Sequence, residues 1–123
     1  MLIAAFTVFG SLFLLAGMLY LVQEKMLYHP RPYSAQVLEH LPAGLVPLAD
    51  AAGSVVGFYR GPPAGGVPRR LWFLFGGNAD QALRWEDFAT DHAAADVGYL
   101  MVEYPGYGAC LGKASPSSIL AAN

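Results

Sequence analysis

One stretch of the chain decides the fold, and it reads Arg69-Arg70-Leu71-Trp72-Phe73-Leu74-Phe75-Gly76-Gly77-Asn78-Ala79-Asp80. Its five consecutive bulky apolar residues, 71–75, predict a strand that is buried on both faces, as in a parallel sheet covered by helices. Two glycines then end the strand in a turn, and a helix-like pattern follows. In open α/β sheets, ligand sites lie at the carboxyl ends of such strands.

A second strand and glycine turn follow the first. Tyr99-Leu100-Met101-Val102-Glu103-Tyr104 is the second predicted strand, and Pro105-Gly106-Tyr107-Gly108 comes directly after it. Between the two units, Gln81–Ala95 has the amphipathic pattern of a helix, and Asp80 is placed to cap its first turn. A strand-helix-strand unit crosses over right-handed with parallel strands. The two glycine turns are therefore predicted to lie side by side at one edge of one sheet, where we expect the chemistry.

The flanking segments complete an α/β pattern. Leu45–Arg60 predicts an antiparallel hairpin, with two short apolar runs around a turn at residues 49–54. Gly61–Pro68 is a loop by composition. After Gly112 the sequence predicts a loop and then the opening turns of a helix at Ile119–Asn123. Because a domain that ends at that point is unusual, we expect the chain to be truncated.

Composition excludes several classes of function. The chain has 123 residues, enough for one domain at most. Seven Lys plus Arg stand against nine Asp plus Glu, and no basic stripe is present, which argues against nucleic-acid binding. The single cysteine, Cys110, excludes an internal disulfide and a cysteine-rich zinc site. His29, His40 and His92 have no further ligand at metal-binding spacing, so the sequence predicts no metal site and no cofactor.

The N-terminal segment Met1–Val22 carries no side-chain charge, and all sixteen charged residues come after residue 23. A helix of this length spans a hydrocarbon core of about 30 Å, which predicts a membrane anchor. A cleaved signal peptide is the first alternative. No Lys or Arg precedes the run, no small-x-small cleavage site ends it, and the run exceeds the usual apolar region of about 7–15 residues. A buried soluble helix is the second alternative, but apolar residues all round favour lipid.

Residues 23–44 form the predicted stem between this anchor and the domain at residues 45–123. Pro30 and Pro32 end any helix there and keep the chain extended. Tyr20, Tyr28 and Tyr33 are candidates for the headgroup level. Lys25 and Arg31 follow the helix, and positive charges favour the cytoplasmic side of a membrane, which weakly indicates a cytoplasmic domain. A long domain can be translocated despite such charges, so both orientations stay open.

The two turns together resemble those of the α/β-hydrolase superfamily. Gly76-Gly77-Asn78-Ala79 is similar to the His-Gly-Asn-Ala turn of membrane-anchored serine hydrolases, and their Asp-Tyr-Arg-Gly-Tyr-Gly-x-Ser-x-Gly loop is matched by Glu103-Tyr104-Pro105-Gly106-Tyr107-Gly108-Ala109-Cys110-Leu111-Gly112. The resemblance covers residues 28–123. It implies the N-terminal part of an α/β-hydrolase sheet, with an antiparallel hairpin and then parallel strands, preceded by one transmembrane helix.

The resemblance also implies a role for the first turn. Ester hydrolysis passes through a tetrahedral oxyanion that backbone N–H groups stabilise. The backbone N–H of Asn78 is the expected donor, with Gly77 shaping the turn so that the substrate approaches closely. No Gly-x-Ser-x-Gly occurs in the sequence. The nucleophile, the acid and the histidine are therefore expected after Asn123, and no catalytic residue is expected within the chain.

Four positions depart from the family pattern. Gly76 stands where the family has the histidine that buttresses the oxyanion loop, and Pro105 replaces an arginine. Glu103 replaces an aspartate and is expected to be paired or solvated at the strand end. Cys110 replaces a serine, and we expect an ordinary buried or loop thiol because no histidine has reason to lie beside it.

The sequence thus predicts a membrane-anchored serine hydrolase of acyl-ester or similar bonds, represented by its N-terminal part. Its expected partners are the lipid bilayer and a small-molecule or lipid-like acyl substrate. The alternative is a non-catalytic, membrane-tethered binding module on the same fold. A dinucleotide site is disfavoured because Leu111 stands where a third glycine or alanine is needed, and a phosphate-binding loop lacks its Gly-Lys-Ser/Thr.

Overall fold

A computed structural model describes residues 2–122, with side chains from Phe6 onward. The elements in chain order are α1 (Leu2–Leu27), α2 (Ala35–Glu39), β1 (Leu45–Ala49), β2 (Val55–Arg60), β3 (Arg70–Phe75), a 3₁₀ helix (Ala82–Trp85), α3 (Glu86–Asp91), β4 (Val97–Val102) and α4 (Pro116–Ala121). The strands form one mixed sheet in the order β1-β2-β4-β3.

The N-terminal helix α1 is long and apolar enough to cross a membrane, over Phe6–Leu27. The assignment as a membrane-spanning helix rests on length and apolar composition, and a signal sequence has the same two properties. Its described side chains are exposed almost throughout, which disagrees with the alternative of a buried soluble helix. The helix runs five residues past the predicted end at Val22 and stops at Leu27, shortly before Pro30.

The hairpin prediction is confirmed. β1 pairs antiparallel with β2, from Leu45 opposite Arg60 to Ala49 opposite Val55. The turn between them is held by the Asp50 carboxylate, which accepts hydrogen bonds from the N–H groups of Ala52 and Ser54 at 2.9 Å each. An aspartate whose side chain accepts hydrogen bonds from backbone N–H groups a few residues later is typical of turns.

The predicted parallel pairing of the two strands is also confirmed. β3 and β4 are parallel neighbours, from Arg70 opposite Val97 to Phe75 opposite Val102, and β2 pairs antiparallel with the other side of β4. The connecting helix is shorter than the predicted Gln81–Ala95. It begins as a 3₁₀ turn at Ala82 and its α-helical part ends at Asp91. The predicted cap at Asp80 does not form: its carboxylate accepts the N–H of Gln81 at 3.0 Å, and Gln81 lies one residue before the first helical residue, Ala82.

The core lies between one face of the sheet and this helix. Phe58 and Met101 are fully buried there, together with Ala82, Ala89 and Tyr99. The Tyr99 O–H donates to the His92 carbonyl at 2.6 Å, which fixes the end of α3 on the sheet. Such a small core agrees with the low burial expected for a chain of this size.

Burial of the predicted strand 71–75 on both faces is wrong for the part of the chain that the structure describes. Leu74 is buried, whereas the other four side chains are 44–54% exposed. The reason is topological: β3 pairs only with β4 among the described strands, so it is an edge strand. Its Phe73 and Phe75 lie on the sheet face opposite the connecting helix.

Close approach of β2 and β4 depends on a glycine. A Cβ added at Gly57 would lie 2.6 Å from the carbonyl oxygen of Met101, a backbone atom that cannot move without the sheet. We expect Gly57→Ala to lower the free energy of unfolding by about 1–3 kcal/mol through this overpacking. Chemical unfolding of the full chain in detergent micelles measures it.

Gly77→Ala is the matched control, since a Cβ there meets nothing within 4 Å. Equal stability of the two variants would show that β2 and β4 are not packed as described.

Candidate functional site

The two glycine turns lie at the same edge of the sheet, as the sequence predicts. Residues 76–79 follow the carboxyl end of β3, and residues 103–108 follow the carboxyl end of the parallel neighbour β4. The first turn is closed by a hydrogen bond from the Asp80 N–H to the Gly77 carbonyl at 3.2 Å. Ala79 there has a φ of +64°, a left-handed conformation that costs a non-glycine residue roughly 1–2 kcal/mol.

Gly77 and Asn78, the predicted oxyanion residues, are exposed at the tip of this turn. No group within residues 2–122 accepts a hydrogen bond from the backbone N–H of Asn78. A free N–H in an exposed turn is what an incoming oxyanion requires. Their assignment as oxyanion donors stays a prediction.

The side chain of Asn78 has a different set of partners. Its Oδ1 accepts hydrogen bonds from the Tyr107 O–H at 2.8 Å and from the backbone N–H of His29 at 3.3 Å. Its Nδ2 donates to the carbonyl of Leu27, the last residue of α1. A backbone N–H only donates and a carbonyl only accepts, so these partners fix which amide atom is oxygen and which is nitrogen.

Glu103 is the buried carboxylate at the end of β4, with 3% of its surface exposed. The Tyr33 O–H donates to its Oε2 at 2.7 Å, and the Ala82 N–H lies 3.4 Å from both carboxylate oxygens. The tyrosine oxygen in turn accepts the Leu83 N–H at 3.0 Å. Glu103, expected to be paired or solvated at the strand end, is therefore paired through hydrogen bonds with neutral donors and is not solvated.

Burial governs the titration of this pair. Desolvation raises the pKa of Glu103, although the hydrogen bond from Tyr33 works in the opposite direction. Desolvation also raises the pKa of Tyr33, and the neighbouring carboxylate adds to that effect. The phenol therefore keeps its proton and remains the donor to Glu103.

The second glycine turn packs directly over this carboxylate. A Cβ at Gly108 would lie 2.1 Å from Oε2 of Glu103 and 2.5 Å from the Tyr33 ring, so only glycine fits there. Gly108 also forms a parallel bridge with Pro32, through its N–H to the Arg31 carbonyl at 2.9 Å and its carbonyl to the Tyr33 N–H at 3.1 Å. The stem thus runs beside the second turn as a short extra strand.

A cavity of about 790 Å³ lies over the open face of the sheet. Its walls come from all four strands, the loop after Pro105 and α4, and the apolar lining includes Phe73, Phe75, Leu100, Val102 and Leu111. Glu103 reaches its lining, whereas Gly77 and Asn78 do not belong to it. This volume is that of a small-molecule or acyl-chain site.

Cys110 lies at the edge of the same cavity and is buried, as expected. The Ser54 O–H lies 3.7 Å from its sulfur, and the same hydroxyl oxygen accepts the Leu111 N–H at 2.7 Å. Desolvation raises the pKa of the thiol, which lowers its thiolate fraction. This environment is that of a structural cysteine rather than of a nucleophile.

The rings of the three histidines make no hydrogen bond to these site groups within the described residues. The rings of His40 and His92 each bond the carbonyl four residues earlier, at 3.0 and 2.9 Å, and His29 reaches Asn78 through its main chain. Within the described residues, no histidine side chain is hydrogen-bonded to a serine or cysteine. No group of three or more potential metal-ligating side chains occurs in that part of the chain.

Sequence reasoning missed the participation of the stem. Tyr33 was placed at the headgroup level, and yet it lies against Glu103, 70 positions further along the chain. Leu27 and His29 also contact the first turn through Asn78. Arg31 contacts the second turn, because its carbonyl accepts the Gly108 N–H at 2.9 Å. Most of these contacts involve backbone groups, which leave no signal in side-chain patterns.

Comparison of the chain with protein-family models, with curated proteins and with solved structures finds no match. The resemblance to α/β-hydrolases therefore rests on the two turns themselves.

The raised pKa of Glu103 predicts a pH dependence of stability. The folded chain binds this proton more tightly than the unfolded chain, whose glutamate pKa is about 4.3. The stabilisation from this group is therefore full below that pH and is lost as the pH rises through the folded pKa. We expect Glu103→Gln to remove this decline from the pH profile of unfolding free energy.

The exposed Glu39 supplies the control, because Glu39→Gln should leave the profile unchanged. Parallel profiles for the wild type and Glu103→Gln would contradict the burial of the carboxyl group.

Proposed function

We propose that this chain is the N-terminal part of a membrane-anchored serine hydrolase that cleaves acyl esters or similar bonds. The observation that carries the proposal is the position of the turn Gly76–Ala79, exposed at the carboxyl end of β3 and beside the glycine turn that follows β4. The mixed sheet, with an antiparallel hairpin followed by parallel strands, is the arrangement that the hydrolase resemblance implies.

In this proposal the Asn78 N–H stabilises the oxyanion, and Gly77 leaves room for the substrate carbonyl. A serine nucleophile, an acid and a histidine are supplied by sequence that follows Asn123. The cavity over the open sheet face supports an apolar substrate, since Phe73, Phe75 and Leu111 line it. An acyl chain is the substrate part that suits such walls.

The helix α1 is proposed as the membrane anchor. Its side chains from Phe6 to Leu21 are exposed with no protein packed around them, so lipid is the environment that matches them. The stem then holds the domain directly against the end of that helix, because Leu27 and Asn78 are hydrogen-bonded. A substrate with an acyl chain would reach the turns from the bilayer surface.

A second candidate is a membrane-tethered binding module on the same fold. Gly76 favours it, because a glycine stands where the family has the histidine that buttresses the oxyanion loop. The cavity with the buried Glu103 at its lining would then bind a ligand without transforming it.

The sequence of the gene past the Asn123 codon, together with active-site labelling, separates the two. We expect a Gly-x-Ser-x-Gly motif there, and a fluorophosphonate probe should label the full protein but not its variant with alanine at the central serine. Another residue in place of that serine supports the binding module. An intact motif without labelling contradicts the hydrolase.

Membrane anchoring is tested by alkaline carbonate extraction of expressed protein. We expect the whole chain to stay in the membrane fraction, because an uncharged apolar helix of this length is retained by lipid. N-terminal sequencing is the accompanying control. Release of a shorter soluble form that begins after residue 22 would establish a cleaved signal peptide instead.

A further inference from the structure

The turn Gly76–Ala79 has little within itself to fix its shape. Gly76 and Gly77 carry no side chain, and Ala79 is held at a φ of +64°, where a non-glycine residue is strained. Such a conformation persists only when surrounding contacts hold it. Asn78 is therefore the residue through which outside support reaches the tip of the turn.

That support comes from two directions. From the sheet side, the Tyr107 O–H binds Oδ1 of Asn78 at 2.8 Å, and Tyr107 itself is 3% exposed and so is firmly placed. From the stem side, the His29 N–H binds the same oxygen and the Leu27 carbonyl accepts from Nδ2. The amide of Asn78 is thus held between the second glycine turn and the end of α1.

We propose that Asn78 is a positioning residue whose side chain clamps the predicted oxyanion turn to the stem, so that the turn keeps its geometry only while the stem is docked. The relevance to catalysis rests on the proposed function, whereas the clamp itself does not. Residues 27–33 then act as part of the site and not as a passive tether.

The stem is suited to this role because it is fastened independently on both sides of Leu27 and His29. Tyr33 is bound to Glu103 at 2.7 Å, and Pro32 bridges Gly108. On the helix side, Lys113 pairs with Glu24. The backbone groups that face Asn78 are therefore presented by a segment whose two ends are already fixed.

Hydrogen exchange of the full chain in lipid nanodiscs tests the clamp without reference to activity. The variants are Asn78→Ala, which removes all three bonds, and Asn78→Asp, which keeps the acceptor for Tyr107 and His29 but places a carboxylate oxygen against the Leu27 carbonyl. We expect about tenfold faster exchange in Asn78→Ala at Tyr28 and His29 in the stem and, at the same time, at Asp80 in the turn. Asn78→Asp should accelerate the same amides to a smaller extent.

Gln36→Ala is the matched control, because it removes an exposed amide side chain that makes no hydrogen bond within the described chain. It should exchange like the wild type. Unchanged exchange in Asn78→Ala overturns the clamp. Faster exchange confined to Asp80 also overturns it, since the turn would then be held without the stem.

Labelling of the full-length protein by a fluorophosphonate adds a readout that a purely structural role would not move. We expect Asn78→Ala, which keeps the backbone N–H and adds no charge, to lower the maximal labelling rate at least tenfold while the probe concentration for half-maximal rate stays the same, because the turn acts on the oxyanion and not on probe binding. An unaltered maximal rate overturns the positioning role.

The two proposals fail separately. If the wild type is not labelled at all, the hydrolase proposal fails, while coupled exchange at Tyr28, His29 and Asp80 still supports the clamp.

Discussion

The interaction on which the site depends is the hydrogen bond between Tyr33 and the buried carboxylate of Glu103. A carboxylate with 3% exposure is costly unless donors surround it, and here the phenol is the closest of them. The same bond fixes the stem against the carboxyl end of β4. The need of the buried Glu103 carboxylate for a hydrogen-bond donor therefore determines the path of the chain between the apolar helix and the sheet.

Once the stem is fixed there, other contacts follow from its extended backbone. Pro32 bridges Gly108, Arg31 offers its carbonyl to Gln81, and His29 and Leu27 reach Asn78. Gly108 is required because no side chain fits between it, Glu103 and Tyr33. The Gly-x-Gly spacing of the second turn thus has a packing reason, independent of any catalytic role.

Local patterns in the sequence were sufficient for much of the fold. The hairpin, the two parallel strands and the shared edge of the two glycine turns all followed from runs of apolar residues and glycine positions. The burial of Leu71–Phe75 did not, because an apolar run shows only that a strand can be covered and not which elements cover it. The end of the crossover helix at Asp91 was also missed, since alanines at residues 93–95 favour helix on propensity alone.

The candidate site was predictable only in part. Gly77 and Asn78 were identified from their place after a strand, but the partners of the Asn78 amide lie 29, 49 and 51 positions away. Two of the three are backbone groups, and any residue type supplies those. No pattern of side chains at fixed spacing encodes such a contact, so it becomes visible only in three dimensions.

The position of β4 between β2 and β3 has a consequence for the order of assembly during synthesis. β3 carries the most apolar run outside α1 and leaves the ribosome before its only described partner strand. At translation rates of about 5–20 residues per second, it waits roughly 1–5 s for β4 to emerge. In that interval its exposed aromatic side chains are available to chaperones and to the bilayer surface, with α1 already synthesised.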